Sequence, residues 1–148
     1  MSLFQSFGIS ASGMTAQQFR ADIIAENLAN VNTTRTEDGN TYRRKVVAFQ
    51  EKGVDRFDRY LTESRKRGSH IGNGVKVVEV REDTTSDFIM EYDPDHPDAD
   101  ENGYVSYPNV NIVTEMTNLI DASRAYEANI TAFEASKSMA QAGLSIGK

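Results

Sequence analysis

The acidic segment 98–103 has the residue types of a calcium-binding loop. Asp98, Asp100 and Asn102 would supply oxygen ligands at alternate positions, and Gly103 stands at the sixth position, where such a loop turns sharply. The bidentate glutamate expected at the twelfth position is missing, because Asn109 stands there. We therefore interpret the segment as an acidic turn, and a calcium-binding loop stays the alternative.

Other residue types that could support catalysis are few. The two histidines, His70 and His96, lie far apart in the sequence without a third ligand, and we interpret both as solvated surface side chains. Cysteine is absent, which excludes disulfides, thiolate metal sites and cysteine nucleophiles. The sequence also has no phosphate-binding loop, nucleophile elbow or zinc-protease motif. It therefore predicts a protein without catalytic residues, metal ions or cofactors, which is not an enzyme.

Charge is distributed unevenly around a formal net charge of -6. The stretch 35–67 holds ten basic and six acidic residues, whereas 82–101 holds nine acidic residues and no lysine or arginine. The basic runs at 43–45 and 65–67 could contact phosphate, but the acidic balance and the few interleaved aromatic residues argue against a nucleic-acid partner. We interpret these runs as a solvated loop or as a contact to an acidic neighbouring subunit.

The length of 148 residues predicts a single domain. No window approaches 18 uncharged apolar residues, so we expect no direct membrane insertion. Residues 1–8 lack the basic stretch and the small-residue cleavage site of a secretory signal peptide, so we expect no cleaved signal.

Apolar residues repeat with heptad spacing at both ends of the chain. The N-terminal stripe consists of Phe4, Phe7, Ala11, Met14, Ala21, Ala25 and Leu28. The C-terminal stripe consists of Ile112, Met116, Leu119, Tyr126, Ile130, Phe133 and Leu144. Steps of three and four residues are typical of helices that pack along one stripe. They predict a helix within 1–34 that ends near Val31, and a second helix within 108–148 with Asn109 or Asn111 as its N-cap.

Between these helices the spacing changes to that of β-strands. We predict three strands, at 42–50, 75–81 and 88–92, within a small β-rich segment that spans 35–107. Residues 51–70 are charged and aperiodic, which predicts an exposed loop. The predicted fold is therefore mainly α with a small β module: long N- and C-terminal helices form a coiled coil, with a short antiparallel β segment between them.

The two terminal helices are poorly equipped to fold alone. Alanine supplies much of each apolar stripe, and Gly8 and Gly13 lower the helix propensity of the N-terminal one. We expect the ends to become ordered through assembly with other chains. An intramolecular helical hairpin with an ordinary core is the alternative.

Several longer motifs follow one another in a specific order. Residues 12–33 contain a helix that ends in an N-L-A-N-x-x-T turn, and 42–50 and 74–80 are strand-like. Residues 92–111 carry a Y-D-P segment and a G-Y-V-S-Y-P-N-V-N segment, and A-S-R-A-Y-E-A-N follows at 122–129. Together these motifs resemble those of the flagellar axial proteins, specifically the basal-body rod proteins of the FlgC type, over most of the chain.

The resemblance implies a structural subunit of the bacterial flagellar basal-body proximal rod. Such subunits polymerise through their terminal helices into a drive shaft that transmits torque and surrounds the export channel. The implied partners are other copies, related proximal and distal rod proteins, rotor-ring and export-gate components, and the flagellar type III export apparatus. The implied location is the basal body, in the periplasmic space or cell envelope, after export without a cleaved signal peptide. The alternative is a soluble helical adaptor or export chaperone that binds one client.

The resemblance also implies roles for particular residues. The two apolar stripes would form the subunit interface, and the small residues Ala11, Ala21 and Ala25 would let helices approach closely. One turn motif, which would fix the turn from the first helix to the β module, consists of Leu28, Ala29, Asn30, Asn32 and Thr33. A second motif, which would anchor the return to the last helix, consists of Gly103, Tyr104, Pro108 and Asn109.

Overall fold

A computed structural model describes residues 3–53 and 72–146. The helices are α1 (Leu3–Ala29) and α2 (Ile112–Ile146), and the strands are β1 (Lys45–Glu51), β2 (Val75–Glu82), β3 (Ile89–Tyr92) and β4 (Tyr104–Tyr107). The predicted fold class, mainly α with a small β module between two terminal helices, is confirmed. The predicted loop at 51–70 lies almost entirely outside the described residues. None of the described helices is long and apolar enough to cross a membrane.

Local hydrogen bonds set the end of α1 and the start of α2. After Ala29 the backbone N–H of Thr33 donates to the Asn30 carbonyl at 3.1 Å, which turns the chain away from the helix axis. At the start of α2 the Asn111 side-chain Oδ1 accepts from the backbone N–H of Thr114 at 3.1 Å. This is N-cap geometry. Asn111, rather than Asn109, is therefore the cap.

The four strands form two separate two-stranded sheets, β1–β2 and β3–β4. In the first, the N–H of Asp83 donates to the Arg44 carbonyl and the N–H of Lys52 donates to the Gly74 carbonyl, so the strands run antiparallel. In the second, antiparallel pairing runs from Ile89 opposite Tyr107 to Tyr92 opposite Tyr104.

The three predicted strands correspond to β1, β2 and β3, but the prediction omitted a fourth strand, β4. This strand has only four residues and leads directly into the Pro108 turn, so its sequence carries little periodicity of its own. Its strand character comes from pairing with β3 and from Val105, which is fully buried.

The described residues divide into two units. In the first, which contains residues 3–18 and 123–146 with the adjoining ends of β1 and β2, the rings of Phe7 and Phe133 lie 5.0 Å apart. In the second, which spans 19–48 and 79–122, the buried apolar residues are Ile24, Tyr42, Val105, Val110 and Ala122.

Small and polar residues form much of the buried face of each helix. On α1 the buried positions are Ser10, Ala16, Ile24 and Asn27. On α2 they are Glu115, Ala122 and Ser136. Four of these buried residues immediately precede a member of the predicted apolar stripe: Ser10, Ile24, Asn27 and Glu115. The side chains that pack inside the chain are thus largely different from those that the heptad spacing selected.

Candidate subunit interface

Asn27, in the last turn of α1, is fully buried and joins the helix to β1. Its Oδ1 accepts from the backbone N–H of Lys45 at 2.8 Å and from the Tyr42 hydroxyl at 2.9 Å. Its Nδ2 donates to the Lys45 carbonyl at 2.8 Å and to Glu115 Oε2 at 3.1 Å. The amide therefore uses its two donors and both acceptor positions, and β1 is held to α1 by side-chain hydrogen bonds.

Glu115 brings α2 into the same polar network. Its side chain is only 1% exposed, and its Oε1 accepts from Arg44 Nε at 2.9 Å and Nη2 at 2.8 Å. Arg44 Nη1 lies 3.4 Å from Asp83 Oδ2, at the end of β2. A buried carboxylate is tolerated because a guanidinium and an amide both donate to it.

Asn109, just ahead of α2, completes the network. Its Oδ1 accepts from the backbone N–H of Arg44 at 2.8 Å, and its Nδ2 donates to the carbonyls of Asp83 at 2.9 Å and Ser86 at 3.1 Å. One amide side chain thus holds the chain before β1, the end of β2 and the approach to α2 together. We call Asn27, Tyr42, Arg44, Asp83, Asn109 and Glu115 the polar junction.

Two ionisable groups in the polar junction have shifted pKa values. Burial raises the pKa of Tyr42 to about 12, with smaller contributions from the charges of Glu26, Glu115 and Glu82. The hydroxyl therefore stays protonated at neutral pH and donates to Asn27. The backbone N–H of Thr85 is the main cause that lowers the pKa of Asp83, with further hydrogen bonds from Ser86 and Arg44. Asp83 is therefore an anion beside Arg44.

The predicted turn motif after α1 forms a compact set of hydrogen bonds. Asn30 Nδ2 donates to the Glu26 carbonyl at 2.9 Å, and the Thr33 hydroxyl donates to Asn30 Oδ1 at 3.1 Å. The Thr33 carbonyl accepts from the N–H of Tyr42, which leads the chain back towards β1. Asn32 and Ala29 are exposed.

The second predicted motif lies at β4 and the turn before it. Gly103 has a φ of +81°, a conformation that glycine adopts without strain. The N–H of Tyr104 donates to Asp100 Oδ1 at 2.9 Å, and Pro108 is buried. Asp100 Oδ1 also accepts from the N–H of Asn102, so this carboxylate shapes the turn. Within the described residues, no cluster of three side chains could hold a metal ion.

The structure places the predicted stripe residues in two groups. The exposed ones are Ala11, Ala25, Ile112, Met116 and Leu144. The half-buried ones are Phe7, Met14, Ala21, Leu28, Leu119, Tyr126, Ile130 and Phe133. The side chain of Phe4 is not among those that the structure describes. Phe7 and Phe133 contact each other inside the chain, and the exposed residues leave apolar surface uncovered.

The start of α2 carries a cluster of exposed apolar side chains. Ile112, Val113, Met116 and Ile120 lie within two and a half helical turns, and Val113 is 74% and Met116 52% exposed. The first two residues also line a cleft of about 710 Å³, together with Ile89, Tyr107 and Val110. We call Ile112, Val113, Met116 and Ile120 the α2 face. Exposed contiguous apolar surface of this sort marks an interaction site.

The sequence pattern does not predict the central members of the polar junction, Asn27, Arg44 and Asp83, because polar residues fall outside an apolar stripe. Asn27 does stand one residue before Leu28, in the N-L-A-N motif. An asparagine in a helix interior, where its propensity is poor, is the signal that could have identified it.

The chain has two long terminal helices, and the polar junction fastens them to the β1–β2 sheet. It also exposes an apolar helix face. This combination is typical of a structural subunit of a larger assembly. Residues 7–35 match the family model described as "Flagella basal body rod protein", and residues 101–146 match the one described as "Flagellar basal body rod FlgEFG protein C-terminal". The chain is 45% identical to the flagellar basal-body rod protein FlgC of Bacillus subtilis (strain 168), and the alignment covers 100% of both chains.

Two further relatives agree. The FlgC of Borreliella burgdorferi is 43% identical, with 99% of this chain and 98% of that protein covered, and the FlgC of Escherichia coli O157:H7 is 38% identical over 100% of both. The chain belongs to the FlgC family of flagellar basal-body rod proteins and is a structural rod subunit. The resemblance noted in the sequence is confirmed, and the adaptor alternative is not favoured.

Proposed function

We propose that this subunit polymerises with other copies and with related rod proteins through its helix faces, as part of the proximal rod. The α2 face is the observation that carries this proposal. Its four large apolar side chains are each about half exposed or more. They lie in the first turns of the 35-residue helix α2, next to Glu115 of the polar junction. Covering them in an assembly would contribute roughly 25 cal/mol per Å² of apolar surface removed from water.

The stripe residues fit the same proposal. Ala11 and Ala25 on α1 stand beside the buried Ser10 and Ile24, on the flank that stays exposed. Small residues on that flank would let the backbone of a neighbouring helix come close. The terminal helices of adjacent subunits would then pack as a coiled-coil tube around the export channel, and torque would pass through many helix–helix contacts.

Further parts of the proposal concern the cellular setting. The subunit is exported by the flagellar type III apparatus without a cleaved signal peptide, reaches the periplasmic space and contacts rotor-ring and export-gate components. It performs no catalysis. These statements are supported by the family to which the chain belongs, and by a fold in which the network of polar side chains fastens structural elements together.

Replacement of Met116 by Asp tests the role of the α2 face. Met116 is 52% exposed, so a carboxylate there should leave the isolated chain folded but should not be tolerated in an apolar contact. Thr114→Asp is the matched control. Thr114 is also exposed, and this substitution adds the same charge in the first turn of the same helix. We expect Met116→Asp to abolish swimming and completion of the rod in cells that lack the native chain.

The two variants should have the same thermal unfolding midpoint, and Thr114→Asp should swim. Normal swimming and normal completion of the rod by Met116→Asp would contradict the assignment of this face to the subunit interface.

A further inference from the structure

In the β3–β4 hairpin all four residues of β3 are exposed, whereas β4 turns one face inward and one outward. Because paired residues of an antiparallel ladder share a face, Val105 lies on the face opposite to Tyr92 and Tyr104. Val105 is fully buried, whereas Tyr92 is 64% exposed, Tyr104 43% and Met90 53%. The two tyrosine rings stack edge to face with centroids 5.3 Å apart. The hairpin thus presents a Met–Tyr–Tyr surface, which we call the hairpin face.

Acidic residues surround the tyrosine end of this face. The chain leaves β3 as Asp93–Pro94–Asp95 and approaches β4 through Asp100 and Glu101, and the N–H of Asp93 donates to the Gly103 carbonyl beside the tyrosine pair. Of the acidic residues between 93 and 101, only Asp98 has a basic partner, Arg35, in the part of the chain that the structure describes. The remaining negative charge has no cation to offset it there.

Aromatic rings flanked by unpaired carboxylates are the chemistry that recognises arginine and lysine. A guanidinium stacks on a tyrosine ring and is attracted by its negative face, while neighbouring carboxylates accept its N–H groups. The same chain carries two uninterrupted runs of three basic residues, at 43–45 and 65–67, and 82–101 contains no lysine or arginine. In the first run Arg44 and Lys45 already pair with Glu115 and Glu26, which leaves 65–67 as the run available to a neighbour. Segments 65–67 and 82–101 are complementary in charge.

We propose that the hairpin face docks the basic run 65–67 of a second copy of this chain. The proposal rests on the proposed self-assembly and names a second contact within it. A basic run on one copy and an acidic–aromatic face on the next form a heterologous contact, and such contacts continue from subunit to subunit without closing. Charge complementarity of this kind also fixes the register of neighbours and excludes partners of the wrong charge.

Charge reversal on each side separately tests the contact. One variant combines Asp95→Lys with Glu101→Lys, and the other combines Arg65→Glu, Lys66→Glu and Arg67→Glu. In the described residues only the backbone N–H of Asp95 is hydrogen-bonded to a side chain, that of Asp93, and the side chains of Asp95 and Glu101 make no hydrogen bond, so the hairpin should stay folded. The control combines Glu37→Lys with Asp38→Lys in the exposed turn before β1, which changes the net charge by the same amount as the hairpin variant.

Self-association of the purified full-length chains, measured by sedimentation at low and high salt, should weaken about tenfold in each reversed variant because attraction becomes repulsion. The control should associate like the native chain. An equimolar mixture of the two reversed variants should regain association, since each basic surface again meets an acidic one. Added salt should reduce the native association, because the charges are exposed.

Two outcomes would overturn the proposal. If the hairpin variant associates like its control, the hairpin face is not a contact. If the mixture associates no better than either variant, the basic run 65–67 does not bind the hairpin face of a second copy. Met116→Asp distinguishes failure of the hairpin contact from failure of the proposed function. If the Met116→Asp variant loses self-association while the hairpin variant does not, self-assembly through the α2 face stands and only the hairpin contact fails.

Discussion

Asn27 shows how one side chain can fix the relation between three elements. Its amide bonds both backbone groups of Lys45 in β1, accepts from Tyr42 and donates to Glu115 in α2. A leucine of similar size would leave the Lys45 N–H and carbonyl and the Glu115 carboxylate without these partners. Since an unsatisfied buried polar group costs about 1–3 kcal/mol, such a position depends on the amide itself.

Glu115→Ala should destabilise the isolated chain by about 3 kcal/mol, because Arg44 and Asn27 would each lose a buried partner. Glu127→Ala on the exposed side of the same helix is the matched control and should change stability by no more than about 0.5 kcal/mol. Chemical denaturation monitored by circular dichroism measures both. Equal stability of the two variants would show that the polar junction does not hold the fold together.

For individual residues, the sequence predicts local geometry well but predicts few members of the polar junction. The Asn30 and Thr33 turn follows from side chains that bond their near neighbours, so its residue types are informative by themselves. The sequence pattern does not distinguish Asn109 from Asn111 as the N-cap of α2, because both are asparagines ahead of the helix. What separates them is a distant partner, since Asn109 bonds Arg44, 65 residues away.

For the helices too, some features follow from the local sequence and others depend on tertiary contacts. The lengths of α1 and α2 follow from heptad spacing and capping residues, and the helix end predicted near Val31 lies close to the observed end at Ala29. The face by which α1 contacts α2 does not follow from apolarity. Ser10, Gly13 and Asn27 lie on that side, where small size and hydrogen bonding matter more.

Gly13 and Gly8 offer a direct test of close packing on α1. A Cβ added to Gly13 would overlap the Asn129 side chain, whereas one added to Gly8 has no neighbour within 4 Å. Gly8→Ala should stabilise the chain by about 1 kcal/mol through helix propensity alone. Gly13→Ala should lose that gain, as measured by thermal unfolding.

A double variant sharpens this comparison. If the overlap with Asn129 is the cause, Gly13→Ala should regain its stabilising effect when Asn129 is also replaced by Ala, and the two substitutions should be strongly non-additive. Equal stabilisation by Gly8→Ala and Gly13→Ala in the native background would mean that α1 and α2 do not pack closely at this position.

For the whole molecule, the second unit concentrates features that suit a subunit of an open assembly. It contains the polar junction, which holds α1, α2, the start of β1 and the end of β2 to one another, and it also carries the α2 face and the hairpin face. A hydrogen-bonded polar junction inside the unit combined with exposed apolar surface is expected where folding energy and assembly energy come from different residues. Substitutions on the exposed faces should therefore separate assembly from folding.

A heterologous contact requires two complementary half-surfaces on every subunit, so a variant that loses one half should still bind through the other. Met116→Asp made alongside the native chain in the same cell should therefore enter growing rods and block further addition. We expect swimming in soft agar to decrease as the share of the variant rises. Thr114→Asp, which keeps both half-surfaces, should leave swimming unchanged at the same expression level. If Met116→Asp were equally harmless, the α2 face could not be one half of a propagating contact.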